Sequence, residues 1–201
     1  MNTHTQRIQQ TIDDAARTIA SLTTQADAIA QLTDLVQDCF ASGGTVYTCG
    51  NGGSAAEALH LAEELIGRYK LDRPPLPAVC LCADPTALTC IANDYGFDEI
   101  FARQVDALVK PDDLLIVFST SGNSTNIVKA LKQANQHGAA TVALLGKGGG
   151  ACAPLCNLPL IVDSTSTEHI QEAHQVLLHL ILERVEQGHA PVGSTHEAAD
   201  A

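Results

Sequence analysis

The 201-residue chain has no tryptophan, one methionine, and only three tyrosines and four phenylalanines. A core without aromatic bulk has to be built from aliphatic side chains. Cations are also scarce, with 11 Lys and Arg against 23 Asp and Glu, a formal net charge of −12. That excludes a nucleic-acid surface, which needs a basic stripe. The same field opposes any anionic ligand at long range, although salt screens it over about 8 Å. A phosphate would have to be held by local donors, meaning backbone N–H groups and hydroxyls. No Cys-x-x-Cys pair occurs among the seven cysteines. Cys80 and Cys82, in a strand-like run, and Cys152 and Cys156, after a glycine run, are expected to be small buried hydrophobes rather than metal or redox groups. No signal-peptide pattern and no long apolar span is present, so the expected compartment is the cytosol and no membrane partner is expected.

What is there is a chain 45% hydrophobic, dominated by Gly, Ala, Leu and Val. Its length suits one domain that can bury a full core without disulfides. From about Thr5 to Phe40 the pattern is helical. Ile8, Ile12, Ala15, Ile19 and Leu22 follow 4-3-4-3 spacing, and Ile29, Leu32, Val36 and Phe40 form a second series. A break at Gln25 to Asp27 makes this two helices or one kinked helix. So narrow a stripe suits helix–helix packing, either between subunits or on the chain's own core.

After Gly43-Gly44 short apolar runs alternate with helical stretches. Strands are expected at Thr45 to Cys49, Ala78 to Cys82, Leu114 to Phe118, Thr141 to Leu145 and Leu158 to Val162. Helices are expected after the Gly50 to Ser54 and Ser119 to Ser124 turns, to about Tyr69 and His137, with others at Asp84 to Ile91, Asp98 to Val109 and Thr167 to Gln187. Near-continuous apolar strands interleaved with helices predict a five-stranded parallel sheet in a three-layer α-β-α sandwich, preceded by N-terminal helices. The expected division is residues 1–40 as a helical oligomerisation segment, 41–187 as the α/β domain, and 188–201 as a disordered tail. Ligands of such sheets bind beyond the carboxyl ends of the strands.

Two strand ends carry unusual turns. Gly50-Asn51-Gly52-Gly53-Ser54 has three glycines at a strand-to-helix switch, where the backbone can take positive φ and a ligand can approach the main chain. A helix N-terminus there offers unpaired N–H groups and partial positive charge, with Asn51 and Ser54 adding side-chain donors. Ser119-Thr120-Ser121-Gly122-Asn123-Ser124 packs four hydroxyls into six residues. One N-cap explains one hydroxyl, not four, so the run reads as a cradle for a phosphoryl group. It is neither a Walker motif nor a dinucleotide fingerprint, because the lysine of the first and the glycine spacing of the second are missing.

Gly50 to Ser54, Asn93-Asp94-Tyr95-Gly96 and Ser119 to Ser124 together resemble the sugar isomerase (SIS) domain. The pairing of His60 and Glu64 with Gln171 and His179 narrows the resemblance to the phosphoheptose isomerase family, over about Leu32 to Gln187. The resemblance implies a homotetramer with active sites between subunits. It implies interconversion of sedoheptulose 7-phosphate and D-glycero-D-manno-heptose 7-phosphate, the first step toward activated heptose for lipopolysaccharide or other surface glycans. It implies substrate contacts at Asn51, Gly52, Gly53, Asn93, Asp94, Ser119, Thr120, Ser121 and Ser124, and a zinc site at His60, Glu64, Gln171 and His179. The chain departs from the family at His169, where Arg is frequent, and at Gly146 to Gly150, where Lys147 and three glycines stand in place of an acid. Non-catalytic SIS proteins that associate with the replication initiator are the alternative, although these lose part of the acid–base set.

His60 and Glu64 are four apart on one helix and share a face. That helix begins at the first glycine turn, so both lie within two to three turns of a bound phosphate. Gln171 and His179 are eight apart, roughly 12 Å along a helix axis. They reach one ion only if it lies between them; otherwise His179 serves another site or acts across a subunit boundary. His174, one turn from Gln171, is expected as a core or interface histidine. Aldose–ketose isomerisation moves a proton between adjacent carbons through an enediol and needs no redox cofactor. Glu64 is the expected base and His179 the acid or partner across the sugar, with Ser54, Glu64 and Gln171 also at the substrate. A zinc ion would polarise the carbonyl, although a zinc-bound carboxylate is a weaker base and Gln an unusual ligand.

Overall fold

The computed structural model describes residues 3–189, with side chains to 188. Five strands, β1 (Val46–Gly50), β2 (Ala78–Cys80), β3 (Leu114–Ser119), β4 (Ala140–Leu145) and β5 (Leu158–Ile161), form one sheet in the order β2-β1-β3-β4-β5. All four pairings are parallel. Every residue of β1 and β3 is buried, as strands covered on both faces require. Each strand lies within a residue or two of its expected place.

Seven α-helices accompany the sheet among the described residues: α1 (Thr3–Ser21), α2 (Ala26–Ala41), α3 (Gly53–Ile66), α4 (Pro85–Tyr95), α5 (Ala102–Leu108), α6 (Thr125–Gln136) and α7 (Thr167–His189). One face of the sheet is sealed by apolar residues of α2, α3 and α7, including Leu32, Leu61 and Leu177. The other is sealed by α5 and α6, through Val105, Ile127 and Leu131, with Leu88 and Ile91 of α4 at its margin. The result is the expected three-layer sandwich behind N-terminal helices.

The details differ in three places. The break between α1 and α2 falls earlier than Gln25 to Asp27, as a 3-10 turn over Leu22–Gln25. Leu22 is buried there, and Gln25 Nε2 donates to the Ile161 carbonyl at 2.9 Å. The helix expected from Asp98 to Val109 is instead a 3-10 turn, Phe97–Glu99, followed by the shorter α5, because the chain turns inward to bury Ile100 and Phe101. The last helix continues past Gln187 to His189, and the rest of the expected tail, 190–201, lies outside the described residues.

The two apolar series of the N-terminal helices part company. Leu32 and Val36 of α2 are buried, whereas Ile8 and Ile12 of α1 are 47% and 62% exposed. The first half of α1 therefore presents apolar side chains that the chain's own core does not cover. All seven cysteines are free thiols, and Cys39, Cys49, Cys80 and Cys152 are buried. No helix among the described residues is long and apolar enough to cross a membrane.

Candidate active site

Strands β1 and β3 are neighbours although β2 lies between them in sequence. The strand order reverses at this point, so their following helices depart to opposite faces and leave a crevice beyond their carboxyl ends. Gly50 pairs with Phe118 in the sheet, so the glycine turn and the serine turn leave the sheet side by side. Asn51, Gly53, Ser54, Phe118, Ser119, Thr120, Ser121, Ser124, Thr167 and Gln171 line a cavity of about 240 Å³ between them.

The first turn needs its glycines. Gly52 sits at φ +57°, ψ −121°, a conformation that side chains disfavour. A Cβ on Gly53 would stand 2.4 Å from Gln171 Nε2, so the Gln171 amide rests directly on the backbone at the start of α3. In the second turn Ser119 Oγ accepts from the Gly122 N–H at 3.1 Å and Ser121 Oγ from the Asn123 N–H at 3.2 Å. Each hydroxyl thus uses an acceptor lone pair internally and keeps its proton for a ligand. Ser124 is the residue preceding α6, yet its side chain makes no capping hydrogen bond. The turn is braced from behind, since Gly122 (φ +63°) has no room for a Cβ against the Gly149 carbonyl and Asn123 Oδ1 accepts from Ala151 N–H. Lys147 Nζ donates to the Thr167 hydroxyl at 2.8 Å, which brings a cation to the cavity rim of an otherwise acidic chain.

Asn51 and Asn126 join the two turns through a reciprocal pair of amide hydrogen bonds, both 2.9 Å. Asn126 is buried in the first turn of α6 and was not among the residues the sequence singled out.

From this cradle α3 and α7 run side by side in the same direction, and polar residues line their seam. Gln171 lies against Gly53. One turn further along α7, Gln175 Oε1 stands 3.0 Å from His60 Nδ1. Beyond it the His179 and His60 rings meet edge to face with centroids 5.4 Å apart. His60 Nε2 is 3.5 Å from Glu64 Oε1. Tyr69 stacks on the other side of His179 at 5.6 Å, with ring planes 16° apart. Burial, then the neighbouring His60, pushes the His179 pKa below its ordinary value; Lys70 acts the same way and Glu64 against it. Seven residues separate Gly53 from His60, about 10 Å of helix, so the imidazole–carboxylate group sits two turns from the cradle.

The structure therefore brings His60, Glu64 and His179 together, and gathers Asn51, Gly53, Ser54, Ser119, Thr120, Ser121 and Ser124 at the cavity. Gly52 forms the bend beside them. Gln171 goes to the cavity rather than to His60, and Gln175 takes the place beside the imidazole. The spacing 171, 175, 179 is itself a helical stripe and was the available signal for Gln175. Asn93 and Asp94 stand apart, exposed near the end of α4 and hydrogen-bonded to each other at 2.7 Å.

A SIS-domain family profile matches residues 10–146. The phosphoheptose isomerase of Trichlorobacter lovleyi is 46% identical over 160 residues, 80% of this chain and 82% of the relative. That of Solidesulfovibrio magneticus is 52% identical over 146 residues, covering 73% and 71%. A solved phosphoheptose isomerase structure from Francisella tularensis superposes with a TM-score of 0.89 at 35% identity, covering 92% of this chain and 99% of that one. The chain belongs to the phosphoheptose isomerase family of SIS-domain proteins.

In this member of the phosphoheptose isomerase family, the donors at the far end of the seam suit a divalent cation. Ligand atoms of His60, Glu63 and Glu64 lie within 4.8 Å of one another, one imidazole and two carboxylates. Glu63, exposed and adjacent to Glu64, is an addition to the expected set; from sequence it reads as part of a solvated acidic run.

Two buried polar pairs support the seam. His174, fully buried as a core histidine, donates from Nε2 to the Leu145 carbonyl at 3.3 Å and packs against Phe118 of the cavity wall. Its Nδ1 lies 3.6 Å from Glu57 Oε2, and neither Glu57 oxygen has a hydrogen bond. At the opposite end Glu186 accepts from the backbone N–H groups of Tyr69, Lys70 and Leu71 at 3.0–3.1 Å. Arg73 lies 3.8 Å from Glu186 and donates to the Glu64 and Leu65 carbonyls at the end of α3. This clamp holds the loop that carries Tyr69 against His179.

Proposed function

We propose that the protein interconverts sedoheptulose 7-phosphate and D-glycero-D-manno-heptose 7-phosphate through an enediol, in the cytoplasm, as the opening step toward activated heptose for surface glycans. The observation that carries this reading is the α3/α7 seam, with a phosphate cradle at one end and an imidazole–carboxylate group about 10 Å away. A seven-carbon sugar anchored by its terminal phosphate can lay its first two carbons at the far end of that seam. The relatives' shared name supports the same substrate, and the comparisons give no support to the non-catalytic alternative.

The Ser119, Thr120, Ser121 and Ser124 hydroxyls donate to the phosphoryl oxygens, together with the first backbone N–H groups of α3 and α6. Phosphate binding of this kind is shared by ground and transition states and fixes the sugar's direction along the seam. The Glu64 carboxylate removes the proton from one of the two adjacent carbons and returns it to the other. His179, held neutral by burial, passes its proton to the oxygen on which negative charge develops and recovers one from the neighbouring hydroxyl as the second carbonyl forms; a neutral imidazole is suited to that role. Gln171, over Gly53, orients the sugar between cradle and carboxylate. His60, Glu64 and Glu63, with His179 alongside, would hold a zinc ion, and when bound it would polarise the sugar carbonyl.

The working unit in this reading is a homotetramer. The exposed Ile8 and Ile12 of α1 offer apolar surface for a second copy. In that assembly Asn93 and Asp94, exposed and outside the cavity of their own chain, would complete a site on a neighbouring subunit. Incubation with pentose, hexose and heptose phosphates, with products read by NMR, tests the substrate: conversion confined to heptose 7-phosphates is expected, and preferred conversion of a shorter sugar refutes it.

A further inference from the structure

His60 has both ring nitrogens engaged. Nδ1 lies 3.0 Å from the Gln175 amide oxygen and Nε2 lies 3.5 Å from Glu64 Oε1. A neutral imidazole carries one N–H, and an amide oxygen can only accept. When the ring is neutral, a hydrogen on Nδ1 satisfies the Gln175 oxygen and leaves the Nε2 lone pair facing a carboxylate oxygen. Two acceptors at that distance repel unless a proton or a metal cation stands between them. The His179 ring stands 5.4 Å from His60, with Tyr69 stacked on its other side.

We propose that Gln175 is a positioning residue that fixes His60 in the Nδ1–H tautomer and so aims its Nε2 lone pair, beside the Glu64 carboxylate, at a divalent cation. This rests on the metal reading above and adds to it a residue outside the ligand set. The physical basis is general: a histidine ligand is oriented and made more basic by the acceptor that holds its other nitrogen. Here that acceptor is a neutral amide supplied from α7 to a ring on α3, so the same hydrogen bond also ties the two walls of the seam.

The test uses the full-length protein stripped with chelator, then titrated with Zn²⁺ in competition with a chromophoric chelator. Gln175→Leu, which cannot accept, is expected to bind zinc roughly 10–100-fold more weakly. Gln175→Glu, which accepts more strongly, is expected to bind at least as tightly as the unsubstituted protein. Long-range proton–nitrogen NMR of the metal-free protein is expected to show His60 protonated on Nδ1, while the zinc affinities separate a positioning role from a merely structural contact. Unchanged zinc affinity in Gln175→Leu, or a His60 proton on Nε2, overturns the assignment. Unsubstituted protein that takes up no zinc sinks the metal reading itself, and the role of Gln175 toward the metal with it. If Gln175→Leu fails to fold, the Gln175→Glu affinity and the tautomer of the unsubstituted protein still decide.

Discussion

The side-chain amides of Asn51 and Asn126 face each other and exchange two hydrogen bonds of 2.9 Å. Asn51 belongs to the turn after β1 and Asn126 to the first turn of α6, after β3. The two turns that line the cavity are thus held in register by a contact that needs no ligand. Asn126 Oδ1 also accepts from the Ile127 N–H, which fixes the orientation of its amide.

Replacing Asn126 with Ala removes both bonds and leaves Asn51 without its partner. Loss of a buried amide's partner costs about 1–3 kcal/mol. If that energy now aligns the cradle, KM for the phosphosugar rises roughly tenfold, since 1.4 kcal/mol is a factor of about ten. Steady-state kinetics check this; an unchanged KM means the pair braces the fold alone.

Ser119→Ala and Ser121→Ala each remove a hydroxyl whose oxygen is already used by a backbone N–H. The account predicts a raised KM with kcat changed little, because the phosphate bond is made equally before and during the reaction. An unchanged KM in both variants would take the serine turn out of the binding site.

The architecture was legible because each layer leaves its own signature in the residues. Leu114 to Phe118, apolar without interruption, announced a central parallel strand, and the hydroxyl run after it marked a turn that lines the cavity. What stayed hidden depends on contacts between elements distant in sequence. Asn126 is an ordinary helix residue until β1 and β3 are neighbours. Tyr69 looks like part of a charged loop until Glu186, more than a hundred positions later, gathers the N–H groups of that loop. Gln171 and Gln175 are both amides on one stripe of α7, and only the register of α7 against α3 decides which meets Gly53 and which meets His60. Asn93 and Asp94 carry family-like sequence, but their positions on α4 leave them outside their own chain's cavity.

The pH dependence follows from His179. Burial, then His60, holds its pKa below the ordinary histidine value, and Lys70 pushes in the same direction. Neutral His179 is the working form, so kcat/KM should fall on the acid side with an apparent pKa below about 6.5. Lys70→Met removes one of the cations that favour the neutral ring, and should move the acid limb to higher pH. A shift to lower pH, or none, would separate His179 from the limb.

The buried Glu57–His174 pair should show strong coupling. Removing His174 alone takes away the polar group beside the buried Glu57 oxygens, which have no hydrogen bond, and leaving a buried polar group without a partner costs about 1–3 kcal/mol. Glu57→Leu with His174→Leu together should cost less than the sum of the single changes. Denaturant unfolding of the four proteins checks it, and additive losses would mean that the two side chains do not interact.

Glu64→Gln tests the central claim most directly. The change keeps the shape of the side chain but removes the proposed base at the end of the seam, ten residues beyond Ser54 of the cavity lining. Binding of sedoheptulose 7-phosphate, measured by calorimetry, should stay within about threefold of the unsubstituted protein, because 0.6 kcal/mol is near the scale of thermal energy. Turnover should drop by roughly 10²–10⁴. A variant that keeps near-normal kcat would contradict the account, because the proton would then be moved by some other group.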